Sequence, residues 1–232
     1  MALQVDNLTI GYGNRTLVRD ISFELSPGEC VLLAGPNGTG KTTLLRVLAG
    51  KGMCSENLRS RGDLRPSHGK IILIPTNIPK VKGFSVEAFI QTGCYLESDW
   101  KGKVSKDTEQ RMEEALEVLG IQELRRRDIS TLSDGEFQKA CLATGLTRKA
   151  EVLLLDEPTA HLDVENRIDV LRTLREVSRK TGTAILFSSH DLHDALQVAD
   201  RVFVLTRDGR FLASSKDKET VLKEAFPNLD NL

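Results

Sequence analysis

The sequence predicts an α/β fold built around a mainly parallel sheet, and two observations support this. Short apolar runs suited to buried parallel strands occur at residues 30–34, 71–74, 152–155, 184–187 and 202–205. Segments with helical spacing lie between several of these runs. Strands that alternate with helices are typical of parallel sheets covered by helices on their faces.

The first 50 residues predict an antiparallel β region followed by the first parallel strand. Residues 3–10 and 17–25 each have the pattern of a strand, and the segment 11–14 between them, with two glycines and an asparagine, predicts a turn. A turn at 27–29 then precedes the apolar run 30–34, and a helix is expected over 42–48, closed by Gly50. The polar stretch 51–69 predicts a surface loop.

A helical segment interrupts the alternation of strands and helices in the middle of the chain. Helical patterns extend from about 86 to 119 and again after Leu132, with Met112, Ala115, Leu116 and Leu119 on one helix face. We therefore expect a single domain over 1–232, with a core formed by about 1–79 and 147–232. The inserted α-helical lobe is expected over about 80–146.

Composition excludes several classes of protein. The 232 residues carry a net charge of −1, which argues against a nucleic-acid partner bound through bulk electrostatics. No apolar run approaches the roughly 20 residues that span a bilayer, and no signal-peptide pattern is expected at the N-terminus. The cysteines lack metal-ligand or redox spacing, so they predict free thiols in a reducing compartment; they are Cys30, Cys54, Cys94 and Cys141.

A glycine-rich segment directly after the first parallel strand matches the pattern G-x-x-x-x-G-K-[ST]. Glycines let backbone N–H groups surround phosphates, and the following helix directs its positive end at the same anion. Lys41 would contact the β- and γ-phosphates of ATP, and the Thr42 hydroxyl would hold Mg²⁺. A purely structural glycine turn is disfavoured because the flanking strand and helix are those the motif requires. The candidate ATP-binding residues are Gly35, Pro36, Asn37, Gly38, Thr39, Gly40, Lys41, Thr42 and Thr43.

Two carboxylates, Asp156 and Glu157, end the apolar run at 152–155. Ligands of open α/β sheets bind beyond the carboxyl ends of the strands. Asp156 is expected near Mg²⁺, directly or through water, and Glu157 is placed to polarise a water molecule for attack on the γ-phosphate. The alternative, a pair of surface acids, is disfavoured by the phosphate loop.

Further motifs give the sequence a specific resemblance. Leu-Ser-Asp-Gly-Glu at 132–136, Asp-Glu-Pro at 156–158, Ala-His-Leu-Asp at 160–163 and Ser-Ser-His-Asp at 188–191 follow the phosphate loop in order. From about residue 3 to 215 the chain resembles the nucleotide-binding domain of ABC ATPases, whose core is a P-loop NTPase (RecA-like) fold. The residues of these motifs are most similar to those of the importer group for iron–siderophores, haem and cobalamin.

The resemblance implies roles for particular residues. Glu157 corresponds to the catalytic base, His190 to a switch histidine that hydrogen-bonds the γ-phosphate, and Lys41 to the phosphate-binding lysine. Ser133 and Gly135 correspond to signature residues that contact the γ-phosphate held by the opposite subunit, and Asp163 to a loop at the partner's phosphate site. Tyr12 would stack on adenine, although a turn tyrosine packed on the surface is the alternative.

The resemblance also implies how the chain acts. It predicts Mg²⁺-dependent ATP hydrolysis in a head-to-tail homodimer with shared ATP sites. Separate membrane permease subunits would be direct partners, and a periplasmic or surface substrate-binding protein an indirect one. The chain would then be cytoplasmic and peripheral on the inner face of the cell membrane.

Several positions depart from the family pattern. Asp134 and Glu136 stand where glycine and often glutamine occur, and His161 replaces a small residue. Pro75 is followed by Thr76 instead of glutamine, so Thr76 is the candidate Mg²⁺ ligand there, with shorter reach, and Asn77 is a possible substitute. The stretch 51–69 is shorter than expected for the family's antiparallel arm.

Two alternatives to a transporter ATPase stay open from the sequence. One is a non-transport ABC ATPase acting in repair or translation, which usually carries two nucleotide domains or a long coiled-coil insertion. The other is a nucleotide-binding regulator without turnover. Glu157 and His190 argue against the regulator, whereas Thr76 leaves it open.

Overall fold

Two sheets and a set of helices form the protein in a computed structural model, which describes residues 1–50, 58–66, 69–95, 104–214 and 218–226. The strands are β1 (Leu3–Tyr12), β2 (Arg15–Leu25), β3 (Cys30–Ala34), β4 (Leu58–Pro66), β5 (Lys70–Ile74), β6 (Ala150–Leu155), β7 (Ala184–Ser188), β8 (Arg201–Leu205) and β9 (Phe211–Ala213). The helices are α1 (Lys41–Leu48), α2 (Val86–Gly93), α3 (Lys106–Leu119), α4 (Asp134–Thr147), α5 (Val164–Thr181), α6 (Leu192–Val198) and α7 (Lys218–Ala225).

The larger sheet has the strand order β5-β6-β7-β3-β8-β9 and is parallel except for β9, which pairs antiparallel with β8. Its central strands are buried on both faces, and alternate residues enter different cores. Leu32 and Leu153 pack with the helices on one face, while Leu33 and Leu154 pack on the other face with α1 and the smaller sheet. This double burial explains why these strands are continuous apolar runs in the sequence.

The smaller sheet has the strand order β2-β1-β4 and is antiparallel throughout. The predicted hairpin of β1 and β2 is confirmed. The expectation of a surface loop over 51–69 is wrong for Leu58–Pro66, which pairs with β1 as β4. Because its side chains are mostly exposed, its sequence is polar, and backbone pairing with β1 holds it as a strand. Residues 51–57 and 67–68 lie outside the described residues.

Helices α2 and α3 pack on α4, and together they form the predicted helical segment. Arg125 joins them through ion pairs with Glu87 on α2 and with Glu109 and Glu113 on α3. Buried residues of these helices share one continuous core with strand residues of the larger sheet. The division into a core and a lobe at about 80 and 146 therefore stays a prediction.

Two further sequence expectations can be compared with the described residues. Cys30, Cys94 and Cys141 are buried and form no disulfide among the described residues, and burial raises the pKa of Cys30 and of Cys141 to about 12; Cys54 lies outside the described part. Within that part, none of the helices is long and apolar enough to cross a bilayer.

The carboxyl ends of β3, β6 and β7 meet at one edge of the larger sheet, because β3 and β6 both pair parallel with β7. The phosphate loop follows β3, Asp156 and Glu157 follow β6, and β7 ends at Ser188, just before His190. The topology therefore brings three separate sequence motifs to one place.

Candidate active site

The phosphate loop joins β3 to α1, and its backbone requires glycine. Gly35 has a φ of 150°, and a Cβ atom there would lie 2.5 Å from the carbonyl oxygen of Leu205. Gly38 and Gly40 also have positive φ values, of 79° and 103°. Residues other than glycine rarely adopt these positive φ values, so the glycines of the motif fix the path of the loop between β3 and α1.

Lys41 begins α1 and lies inside the loop with only 6% of the residue exposed. Its Nζ donates hydrogen bonds to the carbonyl oxygens of Gly35 at 2.7 Å and Pro36 at 3.2 Å. Burial lowers the pKa of the Lys41 ammonium, while the carboxylates of Glu157 and Asp156 raise it. The two carboxylates compensate the buried ammonium only in part, and a bound phosphate would add further negative charge beside it.

The carboxylate of Asp156 is the centre of an oxygen cluster. Thr42 Oγ1 donates to Oδ1 of Asp156 at 3.1 Å, and Ser188 Oγ donates to the same oxygen at 3.0 Å. A carboxylate and hydroxyls are the hard donors that Mg²⁺ prefers, beside phosphate oxygens. The donor set thus fits the predicted metal, with Thr42 and Asp156 to hold it. Ser188 was not predicted as a site residue, although its motif was noted.

Glu157 and His190 contact each other beside this cluster. Nε2 of His190 lies 2.5 Å from Oε1 of Glu157. Glu157 has a φ of 51°, and its backbone N–H donates to Ser188 Oγ at 2.9 Å, which holds the bend after β6. A quarter of the Glu157 side chain is exposed, so water can reach the carboxylate.

A second unpredicted residue, Arg167, supports the His190 segment. Arg167 lies on α5 and forms ion pairs with Asp191, the residue after His190, and with Asp194 on α6. The start of α5 is thereby fixed to the segment that carries His190. The sequence alone did not indicate this role of Arg167, because its ion pairs join residues on separate elements.

Thr76, the residue in place of glutamine, lies next to the oxygen cluster. Its Oγ1 donates to the backbone carbonyl oxygen of Asp156 at 2.8 Å. The hydroxyl hydrogen is therefore directed to the backbone, and only the oxygen lone pairs can face a metal. Its role as a Mg²⁺ ligand stays a prediction.

Tyr12 ends β1 beside the first turn of α1. Its hydroxyl lies 3.3 Å from Oγ1 of Thr43, so the ring adjoins the phosphate loop. A ring at this position could stack on the adenine of ATP bound in the phosphate loop. A cavity of about 930 Å³ lies nearby, between the β1–β2 turn, β4 and the end of α1, but its lining contains no phosphate-loop residue.

Ser133, Gly135 and Asp163 lie together at the starts of α4 and α5. Ser133 caps α4 in a reciprocal pair of hydrogen bonds with Glu136, and Asp163 caps α5 through the N–H of Asn166 at 2.8 Å. A Cβ at Gly135 would lie 2.9 Å from Oδ1 of Asn166, so the two helix starts are in contact. In the described residues, no hydrogen bond joins these starts to the phosphate loop of the same chain.

A family model described as ABC transporter matches residues 18–160. The chain belongs to the ABC transporter family. It is an ATP-binding subunit with an ATPase domain, so the recognition from sequence is confirmed. The α/β fold with its parallel sheet and antiparallel strands is confirmed as well. The individual site residues stay predictions.

Curated relatives and solved structures agree with this family. The zinc import ATP-binding protein ZnuC of Jannaschia sp. (strain CCS1) is 33% identical over 88% of this chain and 78% of its own length. The ferric enterobactin transport ATP-binding protein FepC of Escherichia coli (strain K12) is 29% identical over 99% of this chain and 87% of its own. A nucleotide-free ATP-binding cassette from an ABC transporter has a TM-score of 0.77 at 19% identity, covering 98% and 96% of the two chains.

Proposed function

We propose that this ABC ATPase hydrolyses Mg²⁺-bound ATP with Glu157 as the general base. The observation that carries the proposal is the direct contact of His190 with Glu157, beside Ser188 and Asp156. Glu157 would accept a proton from the attacking water as the water oxygen bonds to the γ-phosphorus and the bond to the ADP oxygen breaks. His190 would orient Glu157, and Lys41 would contact the phosphates. Mg²⁺ would neutralise phosphate charge when held by Thr42 and Asp156.

We further propose that each ATP site is completed by a second copy of the chain. Ser133 and Asp163 present the starts of α4 and α5 on one surface, and among the described contacts neither hydrogen-bonds the phosphate loop of its own chain. Helix N-termini attract anions. A head-to-tail homodimer would bring these helix starts to the partner's γ-phosphate, so that ATP binding closes the dimer and hydrolysis reopens it.

The family and the relatives support a proposal for the transport partner and the cargo. We propose that the chain drives import through separate permease subunits, at the inner face of the membrane, with a substrate-binding protein as an indirect partner. Relatives are named for ferric enterobactin, petrobactin and zinc. The similarity of the motif residues to one importer group favours an iron complex, haem or cobalamin as the cargo. Copurification of a permease with the tagged chain from native membranes tests this; recovery without any membrane protein would contradict it.

The catalytic role is tested by Glu157→Gln. This variant should lose ATP turnover, because an amide cannot accept the proton, while it keeps ATP binding and forms a stable dimer with ATP. Phosphate release and sedimentation measure the two properties. Glu117→Gln is the matched control, since Glu117 is an exposed residue of α3 and should leave both unchanged. Near-normal hydrolysis by Glu157→Gln would refute the assignment of the base.

A further inference from the structure

The start of α4 carries a negative charge that is unfavourable for its proposed task. Asp134 is the first residue of α4, directly after Ser133, and 62% of its side chain is exposed. A carboxylate at a helix start stabilises the free helix, but it repels a phosphate approaching the same end. A site that binds the γ-phosphate there therefore needs a compensating positive charge.

Lys80 supplies a positive charge at this point. Its Nζ donates to Oδ1 of Asp134 at 2.6 Å and to the carbonyl oxygen of Leu132 at 2.9 Å. The same ammonium lies 5.4 Å from the centre of the Phe137 ring, within the range of a cation–π contact. The two acceptors flank Ser133 on either side in the sequence, so Lys80 fixes the backbone that presents Ser133.

The segment that carries Lys80 also reaches the catalytic cluster. It follows β5, and at its beginning Thr76 donates to the carbonyl oxygen of Asp156 at 2.8 Å. Its other end is bonded to the start of α4 by Lys80. The segment is thus anchored at two places: next to the oxygen cluster of this chain, and next to the residue proposed to contact the partner's ATP.

We propose that Lys80 is a positioning residue of the shared ATP site, which holds Ser133 in place and offsets the charge of Asp134. This rests on the proposed head-to-tail dimer. Lys80 does not contact the nucleotide; it acts through Asp134 and Leu132. The substitution of aspartate at the signature position is then tolerated because its charge is paired within the chain, and the N-terminus of α4 keeps its attraction for phosphate.

The test measures the ATP concentration that gives half-maximal dimer in the Glu157→Gln parent, by sedimentation. Adding Lys80→Met should raise this concentration roughly 2- to 5-fold, the effect of one charge at a helix end. Each dimer contains two ATP molecules and two altered helix ends. The half-maximal ATP concentration therefore shifts by the factor that belongs to one helix end. Adding Asp134→Asn alone should lower the concentration, because Lys80 then attracts the phosphate without an opposing carboxylate.

Rescue separates charge compensation from loss of structure. Adding Lys80→Met and Asp134→Asn together should return the concentration most of the way to that of the parent, since the uncompensated charge at the helix end is gone and only the hydrogen bond to the Leu132 carbonyl stays lost. Lys139→Met is the matched control: Lys139 is on α4, 19% exposed, and paired with Asp169 at 2.8 Å. It should leave the concentration unchanged.

The outcomes distinguish this inference from the proposed function. A Glu157→Gln parent that stays monomeric at saturating ATP would overturn the shared site, and the role of Lys80 with it. A parent that dimerises while Lys80→Met keeps the same midpoint would overturn the inference alone. A double variant as impaired as Lys80→Met would also overturn it, because the defect would then not come from the charge of Asp134.

Discussion

Ser188 is a buried residue that hydrogen-bonds both Asp156 and Glu157, the two acids at the end of β6. It is fully buried, its Oγ donates to Oδ1 of Asp156, and it accepts the backbone N–H of Glu157. Ser188→Ala removes a hydrogen bond to a charged group and leaves a donor unpaired, which together cost about 2 to 4 kcal/mol of unfolding free energy. For a chain of this size the melting temperature should fall by roughly 5 to 15 °C.

Ser178→Ala is the matched control for this change. Ser178 is as fully buried as Ser188, but its hydroxyl has no hydrogen-bond partner in the described structure. Its removal should alter stability by less than about 0.5 kcal/mol or increase it. Thermal unfolding followed by circular dichroism compares the two variants, and ATP turnover should fall only in Ser188→Ala. Equal melting temperatures would refute the reasoning that these hydrogen bonds hold the site.

Two further predictions concern the capping of α4 and the base of ATP. The backbone N–H of Ser133 lowers the pKa of Glu136 below its ordinary value of 4.5, so the stabilisation is present above that pH and lost as the pH falls. Glu136→Gln keeps an acceptor for the cap but does not titrate, so its melting temperature should fall less between roughly pH 5 and pH 3; parallel curves for the two proteins would contradict this. Tyr12→Ala should weaken ATP binding by about 5- to 150-fold, the range of base–aromatic stacking, while Tyr12→Phe retains it in calorimetric titrations. Unchanged affinity in Tyr12→Ala would favour the surface-packing alternative.

The parts of the fold that the sequence predicted well are those with strong local signals. β3, β6, β7 and β8 are apolar except for Glu151, Ser188 and Arg201 at or near strand ends, because both faces of these strands are buried. The phosphate loop is a contiguous motif whose glycines have backbone angles that only they adopt readily. Such features are contained within a few neighbouring residues, so the sequence alone specifies them.

The parts that were missed depend on contacts between distant residues. β4 is polar and mostly exposed, and it becomes a strand only through pairing with β1. The sites of Ser188, Arg167 and Lys80 became visible only when their partners, Asp156, Asp191 and Asp134, were brought beside them. In each case the signal is a pair of side chains on different elements, which no periodicity or local motif contains.

The central claim is that one ATP site takes its phosphate loop from one chain and Ser133 from another. The direct measurement is ATP turnover after mixing two inactive variants, Lys41→Ala and Ser133→Ala. Half of the randomly formed dimers would be mixed, and each mixed dimer would contain one intact site, so about a quarter of the wild-type activity should return.

The control mixture combines Lys41→Ala with Glu157→Gln. Both substitutions lie on the same side of the shared site, so every site in a mixed dimer carries one defect and no activity should return. Restoration in the first mixture and none in the second is the result that this account predicts. No restoration in the first mixture, with both variants folded and able to exchange subunits, would contradict it.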